Sequence, residues 1–125
     1  MSATTAQVLD GTALATSIKA SLATRIAQLK QHGVTPGLGT ILVGDDPASA
    51  TYVALKHRDS GEVGIASFGK QLPASAKQAD LLEVICEFNT DPRIDAFLVQ
   101  LPLPRGLDEE AALLAVDPNK DVDGL

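Results

Sequence analysis

Tryptophan is missing from this 125-residue chain, and aromatic residues amount to only 3%, one Tyr and three Phe. A core must therefore be filled by Leu, Ile, Val and Ala, a composition that suits stacked layers of helix and sheet. The single cysteine, Cys86, excludes an internal disulfide and a multi-cysteine metal centre, and it fits a reducing compartment such as the cytoplasm. Four residues after Leu82, it reads as a small buried hydrophobe. Basic runs are also lacking. Ten Lys plus Arg stand against sixteen Asp plus Glu, a net charge of −6, which excludes a phosphate backbone, and so nucleic acid, as the partner. No apolar run approaches ~18 residues. The opening MSATTAQVLDG has neither a basic segment followed by an apolar one nor an Arg-rich amphipathic pattern. No signal, transit or membrane segment is expected.

What is present is an alternation of helical and strand patterns. With 45% hydrophobic residues, a chain of this length hides roughly two thirds of its unfolded surface, so one domain is expected. Leu14, Ile18, Leu22, Ile26 and Leu29 form one helical stripe from Thr12 to His32, stopped by Gly33. Leu38 to Val43 reads as a strand buried on both faces. Asp46 as cap and Pro47 at the first helical position start a second helix, from about Ala48 to Val63. Ile65 to Phe68 is a second strand. A Ser75 cap opens a third helix with Leu81, Leu82, Ile85 and Phe88 inward, ended by Asp91 and Pro92. Ile94 to Val99 is a third strand, QLPLPRG a stiff exit, Asp108 to Val116 a short helix, and DPNKDVDGL a polar tail. The fold class that follows is α/β, three layers, with a mostly parallel sheet flanked by helices. Ligands gather beyond the carboxyl ends of such strands, where GDDPAS and QLPLP lie.

Several residues there can carry chemistry. Tyr52 and Lys56, four apart, share a helix face and can serve one pocket. A lysine shielded by an aromatic wall has its ammonium disfavoured, which makes it a usable proton carrier; packing and a solvated face are the ordinary alternative. Gln100 ends the third strand and offers amide donors and an acceptor to Lys56 or to a heterocycle. Pro102 and Pro104 make a rigid apolar wall. Asp121 and Asp123 could pair with ring and amino nitrogens, or be two solvated acids. His32 sits where a cation suits the helix dipole, and His57 points elsewhere than Lys56; neither forms a metal-ligand cluster. Asp45 and Asp46 after a strand match the acidic pair that holds magnesium in response-regulator receivers, but the third strand ends in Val99 and Gln100 without a phosphoacceptor Asp.

In order, GLGTILVGDDPASATYVALK, GEVGI, FLVQLPLP and PNKDVDGL resemble the amino-terminal half of the methylenetetrahydrofolate dehydrogenase/cyclohydrolase family. The match spans nearly the whole chain. The resemblance implies that residues 1–125 are the folate-binding catalytic domain in truncated form, and that the family's Rossmann-type cofactor domain is absent. It implies oxidation of 5,10-methylenetetrahydrofolate with a nicotinamide cofactor, usually NADP, followed by hydrolysis of the methenyl product to 10-formyltetrahydrofolate, without a metal. The alternative is a chain that binds folate without turnover. Carried over by the resemblance, Lys56 is the catalytic lysine, Gln100 the residue that positions it, Tyr52 the stacking tyrosine and Asp123 the pterin-binding acid. Ser49, Val99, Leu101 and Pro102 complete the substrate site. The family is usually homodimeric, and its later segment packs back on this domain, so apolar surface is expected to be exposed here. GLG at Gly37 to Gly39 precedes a strand and lacks a third glycine, so it is no dinucleotide fingerprint. The chain departs from the family pattern at Asp95–Phe97 and at His57–Gly61.

Overall fold

The computed structural model describes residues 3–125. Its elements run α1 (Gly11–Gln31), β1 (Gly37–Val43), α2 (Pro47–Val63), β2 (Ala66–Leu72), α3 (Gln78–Thr90), β3 (Ala96–Val99) and α4 (Glu109–Ala115). The three strands form one parallel sheet in the order β2-β1-β3. β1 is therefore central, which is why it reads as an apolar run interrupted only by Thr40.

Alternation along β1 divides the molecule into two unlike halves. Ile41 and Val43, with Phe97 and Val99 of β3, face α3 and α4, and join Leu81, Val84, Ile85, Phe88, Ala112 and Val116 in the main core. Phe88 and Phe97 meet edge to face, ring centres 5.4 Å apart, an arrangement that contributes about 0.5–1.5 kcal/mol beyond burial. This face also explains the GLG sequence. A Cβ on Gly39 would lie 2.9 Å from the Phe88 ring, and one on Gly37 would overlap the Arg93 carbonyl. The other face carries Thr40 and Leu42 and lies under α2, which buries only Ser49, Ser60 and Val63.

The helix starts follow from side-chain acceptors. Asp10 accepts from the Ala13 N–H and Asp46 from the Ser49 N–H, capping α1 and α2 as the sequence suggests for the latter. α1 stops at Gly33, whose φ of +77° favours glycine. The Ser75 cap is not found. α3 begins at Gln78, because Asp80 reaches back to the Lys77 N–H, while Ser75 lies in the preceding turn.

Three further expectations are corrected. Leu82 and Cys86 are exposed, since the inward stripe of α3 is Leu81, Val84, Ile85 and Phe88, and positions 82 and 86 share a different face. Along α1 only Ile26 is buried, whereas Leu14, Ile18 and Leu29 are 62%, 50% and 43% exposed. α1 is tied to α2 at its surface, where the Lys19 ammonium reaches Asp59 at 2.9 Å and Glu62 at 3.0 Å. Finally, β2 runs four residues beyond Phe68. As an edge strand it is held by backbone pairing to β1, and its exposed Gly69, Lys70 and Gln71 need no apolar signature. No described helix is long and apolar enough to cross a membrane.

Candidate functional site

Parallel pairing puts the carboxyl ends of all three strands on one crest. Val43 leads into Gly44–Pro47, Leu72 into Pro73–Ala74, and Val99 into Gln100–Pro104. Val43, the Gly44–Pro47 loop, Ala74 and the Pro102–Pro104 loop line an open cleft of about 580 Å³. The Leu101–Pro102 bond is cis.

Beside that cleft, α2 starts under the control of Asp46. The Ser49 N–H donates to its carboxylate at 2.9 Å; this bond, joined by the Ser49 hydroxyl, holds the Asp46 carboxyl below the ordinary aspartate range. Ser49 is 2% exposed. Its N–H serves the helix start.

One turn further along, Tyr52 is exposed and Lys56 half-buried. Register explains what Lys56 meets. Thr40 pairs with Leu98 and Ile41 with Val99, so Gln100, two residues beyond Leu98, turns toward the α2 side. The Lys56 ammonium donates to Gln100 Oε1 at 3.0 Å. Gln100 is itself fixed twice more, since its N–H donates to the Ile41 carbonyl at 2.9 Å and its Nε2 to the Leu101 carbonyl at 3.1 Å. With its orientation set, the amide presents its oxygen to the lysine.

The remaining candidates are placed differently. Val99 is 2% exposed and sends its side chain into the core on the α3 side, leaving only its backbone to a ligand. Leu101 packs against that core, and Pro102 borders the cleft. Asp123 is exposed in the closing turn, where its N–H and that of Gly124 donate to the Asp121 carboxylate at 3.2 and 3.0 Å. It makes no hydrogen bond to Lys56 or Gln100. Gly37 and Gly39 are packed inside a strand against Arg93, Phe88 and Phe97, so they offer no cradle to a dinucleotide pyrophosphate.

Two features escape a sequence reading. His57 does turn away from Lys56, but onto a definite partner, with its Nε2 2.8 Å from Thr40 Oγ1 in a hydrogen bond. The available signal was a threonine at an inward position of an otherwise apolar central strand. Lys120, in the segment read as a polar tail, donates to the Phe88 and Asp91 carbonyls at 3.1 and 2.9 Å, while its own carbonyl accepts from the Phe97 N–H. Nothing local in the sequence announces that contact. The two departures from the family pattern are both accommodated, as the Asp95 carboxylate accepts from the Gly37 N–H at 2.8 Å and His57 finds Thr40.

Known proteins share this fold. The model of the tetrahydrofolate dehydrogenase/cyclohydrolase catalytic domain matches residues 9–123. Proteins named bifunctional protein FolD from two strains of Rhodopseudomonas palustris are 49% and 51% identical over 122 residues, covering 97% of this chain. The chain spans 41% of their length. Among solved structures, the FolD methylenetetrahydrofolate dehydrogenase/cyclohydrolase of Campylobacter jejuni superposes with a TM-score of 0.92 at 41% identity, over 94% of this chain and 42% of that one. A 5,10-methylenetetrahydrofolate dehydrogenase from the silkworm Bombyx mori gives 0.92 at 40% identity, over 96% and 42%. The Trypanosoma brucei dehydrogenase-cyclohydrolase, solved with NADP and an inhibitor, gives 0.89 at 37%, over 93% and 40%. The chain belongs to the tetrahydrofolate dehydrogenase/cyclohydrolase family, and the part of that family it carries is the catalytic domain.

Proposed function

We propose that this domain binds 5,10-methenyltetrahydrofolate at the crest of the sheet and hydrolyses it to 10-formyltetrahydrofolate, as the folate half of a bifunctional enzyme. The observation that carries the reading is the 3.0 Å bond from the Lys56 ammonium to Gln100. It joins the middle of α2 to the exit of β3, two residues before Pro102 of the open cleft, which neither Lys56 nor Gln100 lines. An amine held in that way acts at a defined point in space.

Water adds to the bridging methenyl carbon, and Lys56 in its amine form accepts the proton that the water loses. The bond from that carbon to the pteridine ring nitrogen then breaks. Lys56 returns a proton to the departing nitrogen, the adduct's hydroxyl proton leaves to solvent as its C=O forms, and the carbon stays on the other nitrogen as a formyl group. Gln100 keeps the amine in line for both transfers, Tyr52 offers its exposed ring to the substrate's aromatic part, and Asp123 offers its carboxylate to the pterin. Val99, Leu101 and Pro102 supply backbone and apolar wall, and Ser49 holds the loop that starts α2.

The oxidation of 5,10-methylenetetrahydrofolate belongs to the same reading of the longer enzyme. It takes a nicotinamide cofactor, NADP, that accepts the hydride, and these residues contribute orientation of the reacting carbon. A homodimer and a cytoplasmic location complete the proposal.

The test is hydrolysis of methenyltetrahydrofolate by this chain, followed by its absorbance, with Lys56→Met and Tyr52→Ala alongside. Lys56→Met is expected to lose at least about a hundredfold in kcat, and Tyr52→Ala to weaken binding of a folate analogue in calorimetry. Full hydrolysis by Lys56→Met removes the lysine from the chemistry. Folate binding without turnover in the unmodified chain would make the domain a binding module.

A further inference from the structure

α2 lies on the sheet without a large apolar side chain to fix its rotation. The 17-residue helix buries Ser49, Ser60 and Val63, and the main core takes none of its residues. Small side chains leave a helix free to roll about its own axis, because no knob enters a groove. Two polar contacts to the sheet oppose that roll, Lys56 to Gln100 at 3.0 Å and His57 Nε2 to Thr40 Oγ1 at 2.8 Å, while the Lys19 bridges hold α2 only to α1.

Lys56 and His57 project about 100° apart, one toward the end of β3 and the other toward β1 and β2. The histidine's partner is anchored in the middle of the sheet, since Thr40 is 1% exposed on the central strand. Room for the ring comes from β2. Thr40 pairs with Gly69, and a Cβ on Gly69 would stand 3.2 Å from His57 Nε2. Rolling α2 far enough to carry Lys56 off Gln100 breaks the bond between His57 and Thr40.

We propose that His57, through Thr40, is a positioning residue that sets the reach of Lys56. The proposal rests on the reading of Lys56 as the proton carrier. It is tested with His57→Leu, His57→Gln and Thr40→Val beside Lys56→Met, in steady-state methenyltetrahydrofolate hydrolysis and in a crystal structure of His57→Leu.

His57→Leu and Thr40→Val are expected to lower kcat about tenfold or more, because a misplacement of about 1 Å is enough for that. KM should stay within about twofold, since the substrate contacts are untouched. His57→Gln is expected to recover most of the rate, as its amide offers both a donor and an acceptor to Thr40. In the crystal, Lys56 Nζ should move beyond about 3.5 Å from Gln100 Oε1.

Unchanged kcat in both His57→Leu and Thr40→Val overturns the proposal, and so does an unchanged Lys56–Gln100 contact in the His57→Leu crystal. The isosteric Thr40→Val keeps the claim testable should His57→Leu misfold. Hydrolysis that survives in Lys56→Met defeats the reading of Lys56 instead. The crystallographic arm needs no turnover, so it decides the positioning claim separately.

Discussion

A methyl group on Gly39 would stand 2.9 Å from two Phe88 ring carbons and from the Phe97 Cβ, inside a core where neither ring has space to retreat. Gly39→Ala is therefore expected to destabilise by about 1–3 kcal/mol, the usual effect of overpacking. Gly61→Ala, in the last turn of α2 with nothing within 4 Å of its added methyl, should instead stabilise by about 0.5–1 kcal/mol. Thermal unfolding of the pair checks this, and a Gly39→Ala midpoint at or above the parent's rejects it. At this scale the sequence was uneven to read. Helical spacing and strand-end placement allowed Lys56 to meet Gln100 but left a heterocycle as the other partner, and only the family resemblance named the pair. The pairing of His57 with Thr40 depends on which face of β1 lies under α2, and one-dimensional spacing does not hold that information. Cys86 was misplaced for a related reason, as its distance from Leu82 defines a shared face without saying which face is inward.

Most elements begin and end within a residue or two of where caps and glycines put them, because a cap is a chemical event between residues three apart. α3 ends at Thr90, before Asp91 as expected, but what holds each of its ends was not foreseen. Its start is set by Asp80 and not by Ser75. Its far end is held by a side chain from beyond α4, where the Lys120 ammonium satisfies the Phe88 and Asp91 carbonyls that a helix end leaves without partners. Asn89 adds to the clamp, since its Nδ2 donates to the Ala115 carbonyl and its Oδ1 accepts from the Asp117 N–H. Lys120→Met keeps the aliphatic stem and removes the charge. Its cost is expected at about 0.5–2 kcal/mol, and the Phe97 amide, which donates to the Lys120 carbonyl at 2.9 Å, should exchange with solvent faster than the Leu98 amide does. Unchanged protection at Phe97 would rule out the clamp. β2 was the element least legible, because an edge strand of Gly, Lys and Gln is specified by its neighbour's backbone.

Over the whole molecule, the charge pattern gives stability an acid limb. The Arg93 guanidinium beside Asp91 lowers that carboxyl from the ordinary 3.8 to about 2, and Lys19 lowers the Asp59 carboxyl in the same sense. Both carboxyls bind protons less readily folded than unfolded, so their contribution is complete above about pH 4 and is lost as pH falls toward 2. Asp91→Asn is expected to flatten that limb in urea unfolding between pH 5 and 2, and an unaltered slope would dismiss the ion pair as its source. The α/β architecture itself was readable because buried strands and amphipathic helices alternate in period. The exposed stripe of Leu14, Ile18 and Leu29 was not, since its pattern is that of a buried face and no described residue covers it. The strand order has a consequence for how the chain comes into being. β1 pairs with β2 and β3 in parallel, so no hairpin can start the sheet, and Leu38 must wait for Ala96. At roughly 5–20 residues per second of synthesis, GLGTILV stays unpaired on one side for about 3–12 seconds after it is made. The newborn chain thus carries its central strand with one edge bare, which makes β1 the segment that a ribosome-associated chaperone has most reason to hold.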